Sequence, residues 1–148
     1  MGGPSGGDVK RGFLTLFVFL LFPLSPVYAQ VVPVEVQVIL ASREESGPVD
    51  PGIQTLVREL QRDFAYTGYR LLETHRGQVG PERPWRTTIA EGQDLIVAFM
   101  GADQRRVELK ITTGGMNTRV SLHRGGPPFL VGGPPHQRGT LIIAISAH

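Results

Sequence analysis

Residues 106–112, Arg-Val-Glu-Leu-Lys-Ile-Thr, alternate without a break, with Val107, Leu109 and Ile111 on one side and Arg106, Glu108 and Lys110 on the other. A period of two marks a strand with one face in a core and the other in water. Strand-like runs precede this one at Tyr69–His75, Trp85–Ala90 and Leu95–Gly101. Others follow at Thr118–His123, a short Phe129–Val131 and Thr140–Ala147. Gly or Pro pairs separate most of them, as expected of sequential antiparallel strands. Near the C-terminal end, Leu141-Ile142-Ile143-Ala144-Ile145 is apolar on both faces, which predicts a central or doubly covered strand. Nearer the N-terminus, Val34, Val36, Val38 and Leu40 share one face of a further strand, and a polar loop follows from Ala41 to Val49.

Only one segment carries the helical period. Asp50 is placed to cap it and Pro51 suits its first turn. Ile53, Leu56, Val57, Leu60 and Phe64 then fall on one side, opposite Gln54, Arg58, Glu59, Gln61 and Arg62. A helix between the first two strands fits either a crossover or a cap over one end of a sandwich. The expected class is α+β: one amphipathic helix on a mainly antiparallel sheet or sandwich of about seven to eight strands.

The first 29 residues read as an export signal. Lys10 and Arg11 form a basic region, Gly12 to Leu24 is almost wholly apolar, and Ser25 and Pro26 end any helix. Val27-Tyr28-Ala29 then suits cleavage before Gln30. The competing reading is an uncleaved anchor, but a spanning helix needs about 20 apolar residues and this run is shorter. The expected organisation is therefore a signal peptide at 1–29 and a single β-rich domain at 30–148, periplasmic or extracellular after cleavage.

Removing the leader takes Lys10, Arg11 and Asp8 from 15 basic and 13 acidic residues, leaving 13 and 12. This balance argues against nucleic-acid binding, which calls for a concentrated basic stripe. Cysteine is absent, so the core has to hold without disulfides. His75, His123, His136 and His148 have no metal-ligand spacing, and neither a metal nor a cofactor is expected. None of the serines beyond the leader, Ser42, Ser46, Ser121 and Ser146, sits in a Gly-x-Ser-x-Gly turn, and Ser121 and His123 share a strand face without a third group to orient them.

Gly-Gly-Pro-Pro occurs at 125–128 and again at 132–135. Turn chemistry accounts for both copies as bends around a short edge strand. They also suit a rigid loop offered to a partner, with Phe129 as anchor and Arg124 and Arg138 at its rim. Phe64, Tyr66, Tyr69 and Trp85, interleaved with Arg62, Arg70, Arg83 and Arg86, suit stacking on a glycan or peptide. The plainer reading puts Phe64 and Tyr69 in the core and Trp85 over a sheet edge. Candidate binding residues are thus Arg124, Phe129, Arg138, Trp85 and Arg86, and the expected partner is an envelope protein or glycan.

From Arg106 to Ala147 the order of features resembles the closing segment of bacterial secretins, the outer-membrane ring proteins of secretion systems and pili. The counterparts are Val107–Ile111, Asn117–Leu122, Gly125-Gly126, Phe129-Leu130-Val131-Gly132-Gly133 and Leu141-Ile142-Ile143. Val34-Glu35-Val36 is similar to that domain's opening strand. The resemblance implies an envelope β-rich module. A secretin domain is much longer, and none of its functional residues carries over.

Together these features lead to the expectation of an exported, non-catalytic binding or structural module of the bacterial envelope. The alternatives are a small exported hydrolase with a dispersed site at strand ends, His75 or His123 serving as base, and a partner that adds a strand to another sheet. N-terminal sequencing of the exported protein should begin at Gln30; a chain that retains Lys10 and Arg11 would establish the anchor instead.

Overall fold

In a computed structural model, residues 31–43, 49–137 and 139–148 are described. The expected leader, its cleavage site and Arg138 lie outside them.

Eight strands form two four-stranded antiparallel sheets. The strands are β1 (Val32–Ser42), β2 (Gly68–Val79), β3 (Trp85–Ile89), β4 (Gln93–Ala102), β5 (Arg106–Thr113), β6 (Met116–His123), β7 (Phe129–His136) and β8 (Gly139–Ala147). The first sheet runs β2-β1-β8-β7, and the second is the meander β3-β4-β5-β6. The class is α+β, with a β-sandwich as its frame.

Alternation along the strands builds the space between the sheets. Val32, Val34, Val36 and Val38 of β1 and Leu141, Ile143 and Ile145 of β8 meet Leu95, Val97, Leu109, Ile111, Val120 and Leu122 of the second sheet. The intervening residues of β8, Ile142 and Ala144, point the other way and are equally buried. Together with Ile39, Ala41 and Tyr69 they lie beneath Ile53, Leu56 and Leu60 of the helical segment. That second layer explains why β8 does not alternate and why Val38–Ala41 of β1 is wholly apolar.

The helical segment departs from the expected continuous helix. Pro51–Ile53 is a 3-10 turn, and the only α-helix among the described residues, α1, spans Val57–Asp63. Bonds from Ile53 N–H to Asp50 O (3.0 Å) and from Leu56 N–H to Ile53 O (2.9 Å) keep the tighter spacing until Leu60 N–H reaches Leu56 O at 2.9 Å. Gly52 and the β-branched Ile53, Thr55 and Val57 weaken an α-helix there. Asp50 caps as expected, its Oδ1 accepting from Gly52 N–H at 3.0 Å. Burying Ile53, Leu56 and Leu60 contributes about 5–9 kcal/mol gross. Because β1 and β2 pair antiparallel, the segment is a cap on the first sheet and not a crossover.

The pairing of β1 with β2 shifts between Val38 and Ile39, leaving Leu72 as the extra residue. Leu71 therefore turns under the helix while Leu72 faces the second sheet, the re-aiming that a bulge performs.

The second Gly-Gly-Pro-Pro is not a turn. Gly132–Pro135 lies inside β7, where the register shifts between Gly132 and Pro135. As an edge strand, β7 does not need every N–H, so it tolerates proline at a bulge. A Cβ on Gly133 would sit 2.9 Å from the Leu141 carbonyl oxygen. The chain instead turns beyond His136, where Gln137 adopts φ 49°. The first copy is a turn, with Gly125 at φ 68°.

Because Ile142 is covered on its own face by the helical segment and flanked by two strands, Ile142→Ala should lose about 2–5 kcal/mol. Met100→Ala, at a 42% exposed side chain, should change stability by less than about 0.5 kcal/mol. Urea midpoints of the two variants check this.

Candidate functional site

The structure distributes the expected binding residues over different edges. Trp85 and Arg86 open β3, an edge of the second sheet. Trp85 is half-buried and its ring lies against Gly77 of β2, where a Cβ would fall inside the indole. Arg86 points away from the core and is exposed. On the opposite side, Phe129 opens β7 and is 43% exposed. Arg124 follows β6; its N–H donates to Arg105 O at 2.9 Å and its Nε to Asp103 O at 3.2 Å. It thus braces the loop between β4 and β5. Asp103 Oδ1 accepts from the N–H groups of Arg105 and Arg106, both at 2.7 Å. Those bonds hold its carboxyl below the usual aspartate range, so it stays ionised further into acid. Phe64, Tyr66 and Tyr69 belong to the packing under the helical segment, with Tyr69 Oη 3.0 Å from the carbonyl oxygens of both Leu60 and Phe64.

Between the β2 and β3 edges lies a polar chain of contacts. His75 Nε2 is 2.8 Å from Glu73 Oε2, and Thr87 Oγ1 is 3.4 Å from His75 Nδ1. All three side chains face the gap between the sheets, since Glu73 and His75 stand opposite the buried Val38 and Val36. The order carboxylate–imidazole–hydroxyl is that of an oriented base beside a hydroxyl. At the far end of the sandwich, His136 Nδ1 lies 3.0 Å from Glu91 Oε1, a close approach without hydrogen-bond geometry. Ser121 and His123 are both exposed on β6, and no hydrogen bond joins them among the described residues. No cluster of three or more His, Asp or Glu among the described residues is placed to hold a metal ion. Nor is any helix among them long and apolar enough to cross a membrane.

The four sheet edges share one property. β2 carries Arg70, Glu73 and Arg76, β3 carries Arg86, β6 carries Arg119, and β7 carries Pro134 and Pro135. Charge and proline on an edge discourage pairing with a foreign strand, which counts against strand addition.

Among the described residues, no element packs over the outer face of the second sheet. Because Leu95, Val97, Leu109, Ile111, Val120 and Leu122 point inward, their neighbours point outward. Register places them in rows: Arg86, Ile96, Thr112 and Asn117 in one, and Ala98, Lys110 and Arg119 in the next. A third row holds Gly101, Glu108 and Ser121. The Arg124 N–H bond to Arg105 O sets the phase of the β5–β6 ladder. Lys110 and Arg119 therefore form one of its close, non-hydrogen-bonded pairs. Like charges directly opposed on a sheet destabilise it by a few tenths of a kcal/mol. Among the described residues neither cation has a carboxylate within ion-pair distance.

A β4 bulge enlarges this face. Pairing with β5 shifts between Phe99 and Gly101, with Met100 as the extra residue. Gly101 leaves open space where a side chain would stand. A depression of about 220 Å³ results, bounded by Met100, Glu108, Arg119 and Ser121. The pairing of Arg119 with Lys110 is not visible in the spacing of charges. A signal for it did exist: Gly114 and Gly115 between two strands, at φ 54° and 80°, form the two-residue turn that fixes hairpin register.

No family model matches the chain, and no curated protein or solved structure matches it.

Since only Gly fits beneath the indole at position 77, Gly77→Ala should unseat Trp85 and lose about 1–3 kcal/mol. Trp85 is the sole tryptophan, so a red shift of its emission reports the displacement directly; unchanged emission would contradict the packing.

Proposed function

We propose that the protein is an exported, non-catalytic binding module of the bacterial cell envelope, working beside secretion machinery. The observation that carries the binding reading is the unequal covering of the two sheets. The helical segment roofs the outer face of the first sheet. No described residue packs over the outer face of the second, which presents Arg86, Thr88, Asp94, Lys110, Thr112, Asn117 and Arg119. Side chains on a rigid sheet are held in fixed relative positions, which suits recognition. The export pattern of residues 1–29 supports the compartment, and the secretin-like order of Arg106–Ala147 supports the neighbourhood.

The second reading is a hydrolase, and the Glu73–His75–Thr87 contacts favour it specifically. Against it, the 3.4 Å contact between His75 Nδ1 and Thr87 Oγ1 is at the long limit of hydrogen bonding.

Co-sedimentation of the exported protein with isolated envelope fractions should show saturable binding that His75→Ala leaves unchanged. Absence of saturable binding to every fraction would remove the binding-module reading. Ester, amide or glycoside turnover that His75→Ala abolishes would establish the hydrolase in its place.

A further inference from the structure

We propose that the outer face of the second sheet is a docking site for a carboxylate-bearing polysaccharide, centred on Lys110 and Arg119. The proposal rests on the binding-module reading and names its ligand and its surface.

The argument begins with the unrelieved cation pair. Lys110 and Arg119 stand directly opposite each other across β5 and β6, and no acidic or hydrogen-bonding partner among the described residues meets either side chain. Folding gains nothing from this placement, since like charges at a close pair repel. A bound anion reverses the sign: a carboxylate between the two accepts from the Arg119 fork and from the Lys110 ammonium at once. The neighbours suit a sugar. Thr112 and Asn117 form the row on one side and Ser121 lies on the other, supplying donors and acceptors for ring hydroxyls. Glu108, opposite Ser121, bounds the cationic site and accepts from hydroxyls but not from a second carboxylate. Ala98, beside Lys110, keeps the surface low, and the depression at Met100 receives a substituent next to Arg119.

The same face lacks what a protein partner or a second copy would need. The exposed large apolar side chains among the described residues are Val31, Met100 and Phe129. Only Met100 belongs to this face, whereas protein interfaces have an apolar, aromatic-rich core. A hydroxyl-rich ligand that sets a carboxylate on the Lys110–Arg119 pair fits the local charge and the open sheet face together.

The test uses the exported protein with oligogalacturonate, dextran oligomers of equal length and inorganic polyphosphate, followed by calorimetry at low and high salt. Oligogalacturonate should bind saturably and weaken as salt rises, and dextran should not bind. Lys110→Gln and Arg119→Gln should each weaken binding at least tenfold, while Arg58→Gln, in α1 on the opposite side of the molecule, should leave it unchanged. A second readout separates lost binding from misfolding. Without ligand, either Lys110→Gln or Arg119→Gln should melt at or above the wild-type temperature, because the repulsion is gone. Oligogalacturonate should raise the melting temperature of the wild type and not of these variants. Equal binding of dextran, tighter binding of polyphosphate, or oligogalacturonate binding indifferent to Arg119→Gln would each overturn the proposal. If oligogalacturonate fails while envelope fractions still bind, the ligand assignment falls and the binding module stands. If both fail, the module reading falls with it.

Discussion

The molecule is organised around the requirement that β8 be dry on both sides. Leu141, Ile143 and Ile145 need the second sheet beneath them, and Ile142 and Ala144 need a separate cover above. Backbone pairing with β1 on one side and β7 on the other completes the enclosure. A sheet residue exposed on one face can be polar; here neither face can be. The helical segment is therefore committed to the first sheet, and the chain has no second α-helix among its described residues with which to roof the other. Among the described residues, the outer face of the second sheet is thus left without a cover because the helical segment is used on β8.

Two of the three bulges and one turn adapt this frame. The extra residue at Leu72 lets adjacent leucines serve the two separate cores. The extra residue at Met100 disturbs β4 just where Gly101 leaves space, and opens the depression beside Arg119. The Gly114-Gly115 turn fixes which β6 side chain meets Lys110. Stability and recognition consequently draw on different residues. The inward-facing valines, leucines and isoleucines hold the sandwich, while the outward rows remain free to carry charge that the fold does not need.

Much of the frame was legible before any coordinates. Clean alternation at Arg106–Thr112 and the two-faced apolarity of Leu141–Ile145 identify strands and their covering, because side-chain direction on a strand is fixed by position. Two expectations failed, the first through local propensity and the second through tertiary context. Gly52 and three β-branched residues divided the expected helix into a 3-10 turn and a short α-helix, although the buried positions Ile53, Leu56 and Leu60 remained as the pattern required. Gly132–Pro135 looked like a turn but extends β7, since an edge strand with a bulge does not need the N–H groups that proline lacks. The candidate binding residues were chosen for their chemical type, and the fold separates them: Trp85 and Arg86 lie on one edge, Phe129 and Arg124 on the other side.

By itself the sequence determined the class of fold, the positions of the strands, the amphipathic side of the helical segment and the double burial of β8. Each follows from periodicity within one short segment, and that periodicity acts through local backbone geometry. Only the tertiary structure decided which sheet the helical segment covers, that Glu73, His75 and Thr87 meet across an open edge, and that Lys110 faces Arg119. Those are relations between residues distant in the chain or paired through a hairpin register. Distances across strands are set by which hydrogen-bond ladders close and which apolar faces find each other, and no single segment encodes that choice.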